Sequence, residues 1–263
     1  MTYLGTAGFI FSSEDRHIVV DPFVTRPSKG ETLLRPLRSD PKIVSSLIPK
    51  ADDVIIGHSH HDHILDAPEL CIQTGARFIG SPDSCRVARA AYVPEKQIIS
   101  TKGREDIQCG QNATVRAFPS LHGRVYFNRV SMPGRIADDF SWPSRLSHFR
   151  HGLVLNWLIE IEGIRIFHID SADFIEEELE NIEAVDVLCL CAIGRNWRKN
   201  YVEDAVRLLR PKMIVACHWD CFWQPFHAQQ YLLPSVDLEG FVADIEKAGV
   251  EPAVVPLGGT ITL

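Results

Sequence analysis

The stretch DDVIIGHSHHDHILD brings four histidines and an aspartate into the six positions 58–63. The pattern H-x-H-x-D-H constrains the fold through what precedes it. Residues 53–57, DVIIG, form a short apolar run stopped by glycine, which reads as a buried strand. The motif therefore follows a strand's C-terminal end, where α/β proteins place their chemistry. In such a turn, side chains two apart can converge on one ion while the next pair faces a second. Imidazole with carboxylate suits zinc, with manganese or iron as alternatives. His58, His60, Asp62 and His63 are the candidate ligands. His61 has inward-pointing neighbours on both sides and is read as facing solvent or supporting a ligand.

Four ligands cannot close two metal sites, so others must come from later strand ends. His122 follows the alternating run 113–120, ATVRAFPS. Asp170 ends IRIFHID, and His218 ends KMIVACH. Asp173 competes with Asp170, which is preferred because it ends the apolar run. His168 lies two residues before Asp170 and on a strand shares its face, as a supporting group or a core histidine. Cys221 reads as a buried thiol ahead of a ligand.

The rest of the chain supplies the frame. FIFSS and HIVVDPF flank a turn at 13–16 and read as a hairpin. ARFIG at 76–80, the pair within 153–170, 185–193 and 212–219 read as further strands. Helices are expected after Ser81, over 201–209 and over 237–249, the last ended by Gly249. Strands mixed with helices in this order fit a layered α/β sandwich in one domain. Residues 124–152 break the pattern: weak periodicity, five arginines and five aromatics. A loop of that length in a compact domain is read as a lid or an interface.

With 45% hydrophobic residues the chain has the composition of a globular protein. A net charge of −7 argues against nucleic acid as partner. No segment approaches the ~18 apolar residues that cross a bilayer, so no membrane is expected. The first twenty residues lack a basic start and a signal-length apolar run, and the seven cysteines are odd in number. Both point to a cytoplasmic chain with reduced thiols. Self-association is left open.

The chain resembles the metallo-β-lactamase superfamily of binuclear hydrolases, and within it the branch that includes ascorbate-phosphate lactonase. YLGTAGFIF…HIVVDPF is similar to that branch's N-terminal hairpin, H-x-H-x-D-H to the family's second motif, and PLGGTITL to its closing strand. His122, Asp170 with Ser171, and His218 match the third, fourth and fifth motifs. The resemblance implies a four-layer αββα sandwich with the site at one edge. It implies that His58, His60 and His122 hold one metal, Asp62, His63 and His218 a second, and that Asp170 bridges. It further implies a metal-bridging hydroxide as nucleophile, with Asp62 accepting its hydrogen bond as the catalytic side chain. Asp21 would orient a ligand histidine, and Asp66 stands slightly off the family's acidic position.

The expected activity is hydrolysis of a small, anionic ester, phosphoester or lactone. GRNWRKNY at 194–201 follows a strand end and carries Arg195 and Arg198, candidates for binding the anion. The competing readings are a nuclease or phosphodiesterase of the same superfamily and a non-catalytic metal-containing sensor or scaffold.

Overall fold

The computed structural model describes residues 1–263. The first sheet takes its strands in chain order: β1 (Thr2–Gly5), β2 (Gly8–Ser12), β3 (His17–Val20), β4 (Asp53–Ile55), β5 (Arg77–Gly80) and β6 (Ile98–Ser100). β1 to β3 pair antiparallel and β3 to β6 parallel. The second sheet holds β7 (Asp106–Gln108), β8 (Ala113–Ser120), β9 (Val154–Ile161), β10 (Ile164–Ile169), β11 (Val187–Cys191), β12 (Met213–Cys217) and β13 (Glu251–Ala253). It too begins antiparallel and turns parallel from β10 onward.

The sheets meet through their inner faces. Phe9 of β2 packs edge-on to His168 of β10 at 5.9 Å. Helices α1 (Lys29–Leu34), α2 (Pro41–Leu47), α3 (His61–Ile64), α4 (Ala67–Thr74) and α5 (Pro82–Ala90) come with the first sheet; α4 and α5 pack on it and α2 packs on α4. Helices α6 (Glu176–Leu179), α7 (Tyr201–Leu209) and α8 (Leu238–Lys247) cover the second. The result is the expected αββα sandwich. No helix is long and apolar enough to cross a membrane.

Local sequence accounts for the main elements. VLCLC in β11 is buried at every position, as a central parallel strand covered on both faces must be. ATVRAFPS in β8 alternates for most of its length, as an antiparallel strand with one wetter face does. α5 starts at Ser81, whose side chain accepts from the Ser84 N–H, with Pro82 in the first turn. α7 buries Val202, Ala205, Leu208 and Leu209, one helical stripe. The end of the chain departs from expectation. PLGGTITL forms no strand of its own; it runs beside β1 through the bridge of Thr2 to Thr260 and backbone hydrogen bonds that join Tyr3 to Gly258 and Gly259 and Met1 to Ile261, and the last strand is β13.

Five loops leave the C-terminal ends of β3, β4, β8, β10 and β12 at one edge. Asp66 ties two of them together. It accepts from the Val24 N–H (2.6 Å), the Thr25 N–H (2.7 Å) and Thr25 Oγ1 (2.5 Å), fastening the loop after β3 to the start of α4. Burial pushes its carboxyl up to about 6 against these donors. The folded chain thus holds this proton more tightly than the unfolded chain, whose Asp titrates near ~3.9. The group's contribution to stability is greatest below about pH 4 and is lost as pH rises through about 6. Asp66→Ala strands three donors and costs about 3 kcal/mol in urea denaturation. Asp66→Asn keeps one acceptor oxygen for the two N–H donors and offers its amide N–H to Thr25 Oγ1, costs about 1 kcal/mol or less at pH 7.5, and removes this component of the pH dependence.

Candidate metal centre

The residues expected to bind metal come together. His58, His60 and His122 form one group, Asp62, His63 and His218 another, with ligand atoms inside each lying within 4.8 Å of one another. A third group joins His58 and His63 with Asp170, so the Asp170 carboxylate stands at the junction of the first two. His58 Nε2 lies 3.0 Å from His60 Nδ1. Asp62 Oδ2 lies 3.4 Å from His218 Nε2 and 3.8 Å from His63 Nε2. Asp170 Oδ2 is 2.5 Å from His58 Nδ1 and 3.8 Å from His63 Nδ1. The motif is extended through His60 and then closes into the single turn of α3, which swings Asp62 and His63 to the second group.

Surrounding groups choose which ring atom is free. Asp21 Oδ2 holds His63 Nδ1 at 2.9 Å, leaving Nε2 to face the site. The other Asp21 oxygen accepts from the Gly57 N–H at 2.7 Å. His122 donates from Nδ1 to the Gly123 carbonyl at 2.7 Å, again freeing Nε2. Asp21 and His218 both sit at positive φ, 43° and 55°. For non-glycine residues this costs of order 1–3 kcal/mol and persists only where surroundings impose it. For His218 the imposing contact is its N–H on the Thr6 carbonyl at 2.5 Å.

Burial, and then neighbouring histidines, hold His58, His60 and His63 well below the usual imidazole range. Burial alone leads the depression of His61 and His122. Burial works upward on Asp62, but His63, His61 and His218 outweigh it and hold the carboxyl well below its usual range. Burial and then the Asp170 charge push Asp21 well up. Neutral imidazoles beside an ionised Asp62 are the protonation states that ligation requires. Asp170 Oδ1 is buried with no hydrogen-bond partner, a costly state that a cation relieves. The donor set fits divalent metal.

Several expectations need correction. His168 supports no ligand: its Nε2 meets the Ala7 carbonyl at 2.8 Å, one pleat deeper in the core than Asp170. Arg195 pairs with Asp244 and Asp237, and Arg198 with Asp173 and Glu176 while stacking 3.9 Å from the Phe174 ring. The carboxylates that claim both arginines stand on or beside α6 and α8. Asp173 is accordingly an ion-pair partner. Cys221, expected as a buried thiol ahead of a ligand, belongs to none of the ligand groups but is half-buried. His61 is buried rather than solvent-facing, set among Phe23, Phe149 and Phe222, with Nδ1 3.4 Å from Asp62 Oδ1.

Two neighbours were not foreseen. A Cβ on Gly57 would collide with the Asp170 carboxylate and come within 3.1 Å of Asp21 Oδ2. The stop after the apolar run was visible, its necessity was not. His151 stacks on His122 at 5.6 Å and meets His60 edge-on at 6.0 Å. It lies at the end of 124–152, outside any ligand spacing. Above the cage lies a cavity of about 170 Å³, and Val125, Tyr126, Ser131, Met132 and Leu146 of that segment line it.

Fold and cage together define a metal-binding αββα protein. The family described as Beta-lactamase superfamily domain matches residues 1–218, a span that ends on the last candidate ligand. The chain belongs to this family. A UPF0173 metal-dependent hydrolase of Desulfitobacterium hafniense is 27% identical over 221 residues, covering 83% of this chain and 82% of that protein. One from Staphylococcus saprophyticus is 25% identical over 229 residues, covering 84% and 86%. Igni18, a metallo hydrolase of Ignicoccus hospitalis, shares the fold with a TM-score of 0.67 at 21% identity, over 100% of this chain and 97% of that one.

Gly57→Ala is expected to cost about 1–3 kcal/mol through overpacking and to lower the metal retained after dialysis, read by elemental analysis. The pH response follows from the histidines. His58, His60, His61, His63, His122 and His168 all lie below their ordinary value in the folded chain. The unfolded chain takes up protons near ~6.5 that the folded chain refuses. Stability of the metal-free protein is therefore full above about pH 6.5 and falls as pH drops, six imidazoles outweighing the opposite effect of Asp66. Thermal melts in chelator from pH 8 to 5 measure this.

Proposed function

We propose that the chain is a hydrolase holding two divalent metal ions, zinc in preference to manganese or iron, and acting on an ester or lactone. The observation that carries this is the shared position of Asp170, whose group takes His58 from one cluster and His63 from the other. The relatives described as metal-dependent hydrolases support the reading. In it His58, His60 and His122 hold one ion, Asp62, His63 and His218 the other, and Asp170 reaches both. Such a pair supplies, when bound, a water acidified towards neutrality and a Lewis acid for the substrate's oxygen.

The chain's own groups do the rest. Asp62, kept ionised by its three histidine neighbours, orients the attacking water and takes its proton. Asp21 fixes the tautomer of His63, and the Thr6 carbonyl fixes the backbone of His218. Residues 124–152 act as a cover that keeps bulk water from the cavity. The anionic substrate expected from Arg195 and Arg198 loses its basis, since both are committed to ion pairs.

Elemental analysis is expected to find two metal equivalents per chain, and about one in His122→Ala. Turnover of p-nitrophenyl butyrate is expected to vanish in chelator and return with metal. Asp62→Asn is expected to lower kcat by about 10²–10⁴-fold. A metal-loaded chain with no turnover of esters, lactones or phosphodiesters would point instead to the scaffold reading.

A further inference from the structure

We propose that the cavity over the metal centre selects a neutral ester or lactone with a saturated chain of about six carbons. This rests on the hydrolase reading above and names its substrate class. No Lys or Arg lines the cavity. Away from the cage, its walls include Leu33 of α1, Val125, Met132 and Leu146 of the cover, and Phe222 and Trp223 after β12, with the hydroxyls of Thr32, Tyr126 and Ser131 among them. The nearby buried Arg26 is taken by Asp220, as Arg195 and Arg198 are taken elsewhere.

Charge and volume point the same way. Asp62 and Asp170 offset half the charge of two divalent ions, and the chain adds no cation. A phosphate monoester dianion would meet matching charge only at the cage and would put no chain against the apolar walls. A neutral ester places only its reacting oxygen at the cage and its chain against the walls. The volume, about 170 Å³, slightly exceeds that of an apolar cavity of ~150 Å³ that holds one benzene ring. Leu33, which lines the cavity, is 58% exposed, so apolar surface continues to its mouth. The reaction needs no co-reactant beyond water. The water oxygen bonds to the acyl carbon, the acyl C–O bond breaks, and the water's proton leaves with the alcohol.

Two measurements test this. The first compares kcat/KM of the metal-loaded protein for p-nitrophenyl acetate, butyrate and hexanoate and for p-nitrophenyl phosphate. Each added methylene is expected to raise kcat/KM by about threefold to fourfold. The phosphate is expected to be the poorest substrate, and Leu146→Ala to lower the hexanoate-to-acetate ratio severalfold. The second adds hexanamide, and separately hexylphosphonate, to chelated protein and reads tryptophan fluorescence. Hexanamide is expected to change the signal, hexylphosphonate to bind at least tenfold more weakly, and Trp223→Phe to lose most of the change. Flat chain-length dependence, or phosphate turned over fastest, overturns the proposal and leaves the hydrolase reading intact. No turnover of any substrate, with hexanamide still bound, overturns the hydrolase reading and leaves the cavity's preference standing.

Discussion

Gly57 has no side chain, and the candidate metal centre depends on that. The carboxylates of Asp21 and Asp170 both close on the space a Cβ would fill. Asp21 arrives from β3 and Asp170 from β10, one from each sheet. Their approach draws the two sheet edges together over the strand that carries His58. Asp21 then holds His63, Asp170 meets His58, and the Gly57 N–H donates to Asp21. A point in the backbone with no bulk is where two layers of the sandwich and the ligands meet. Burial raises Asp21, and the charge of Asp170 standing so near raises it further. Two carboxylates at this range repel unless a proton or a cation intervenes.

A second support stands behind His218. Its N–H is held by the Thr6 carbonyl, and Thr6 is itself anchored through its N–H to Asp220 Oδ1 at 2.8 Å. Tyr3 donates to the same oxygen at 2.6 Å, and Arg26 pairs with the other. The Arg26 and Asp220 side chains are fully buried. A buried pair of this kind gives little net stability but leaves a large penalty if one partner is lost. Its value here is positional. It fixes the loop between β1 and β2, and that loop holds a ligand histidine in a strained backbone conformation.

Much of this was legible in the sequence because the ligand rule is local. H-x-H-x-D-H announces itself by spacing. His122, Asp170 and His218 announce themselves as metal-competent residues closing apolar runs. The β8–β10 region and α7 followed from periodicity. Short edge elements such as β6, β7 and β13 did not, since three residues carry no period. His168 and the two arginines failed for another reason. Each was placed by its distance along the chain from a strand end, and that distance fixes neither depth nor direction. His168 shares a face with Asp170 but lies a pleat inward. Carboxylates on α6 and α8, remote in sequence, claim the arginines. His151 joins the imidazole cluster through a loop with no pattern to read.

The site divides into two media. Imidazoles and carboxylates line its floor, tuned so that His58, His60, His63 and His122 are neutral and Asp62 is ionised at neutral pH. Its walls are aliphatic and aromatic, and much of them comes from one irregular segment, 124–152. The floor is fixed by sheet ends and cannot change without loss of the ligands. The part of the walls supplied by 124–152 lies outside the sheets and can change freely. Reaction type and substrate choice are therefore carried by different parts of the chain. Kinship over residues 1–218 constrains the first far more tightly than the second.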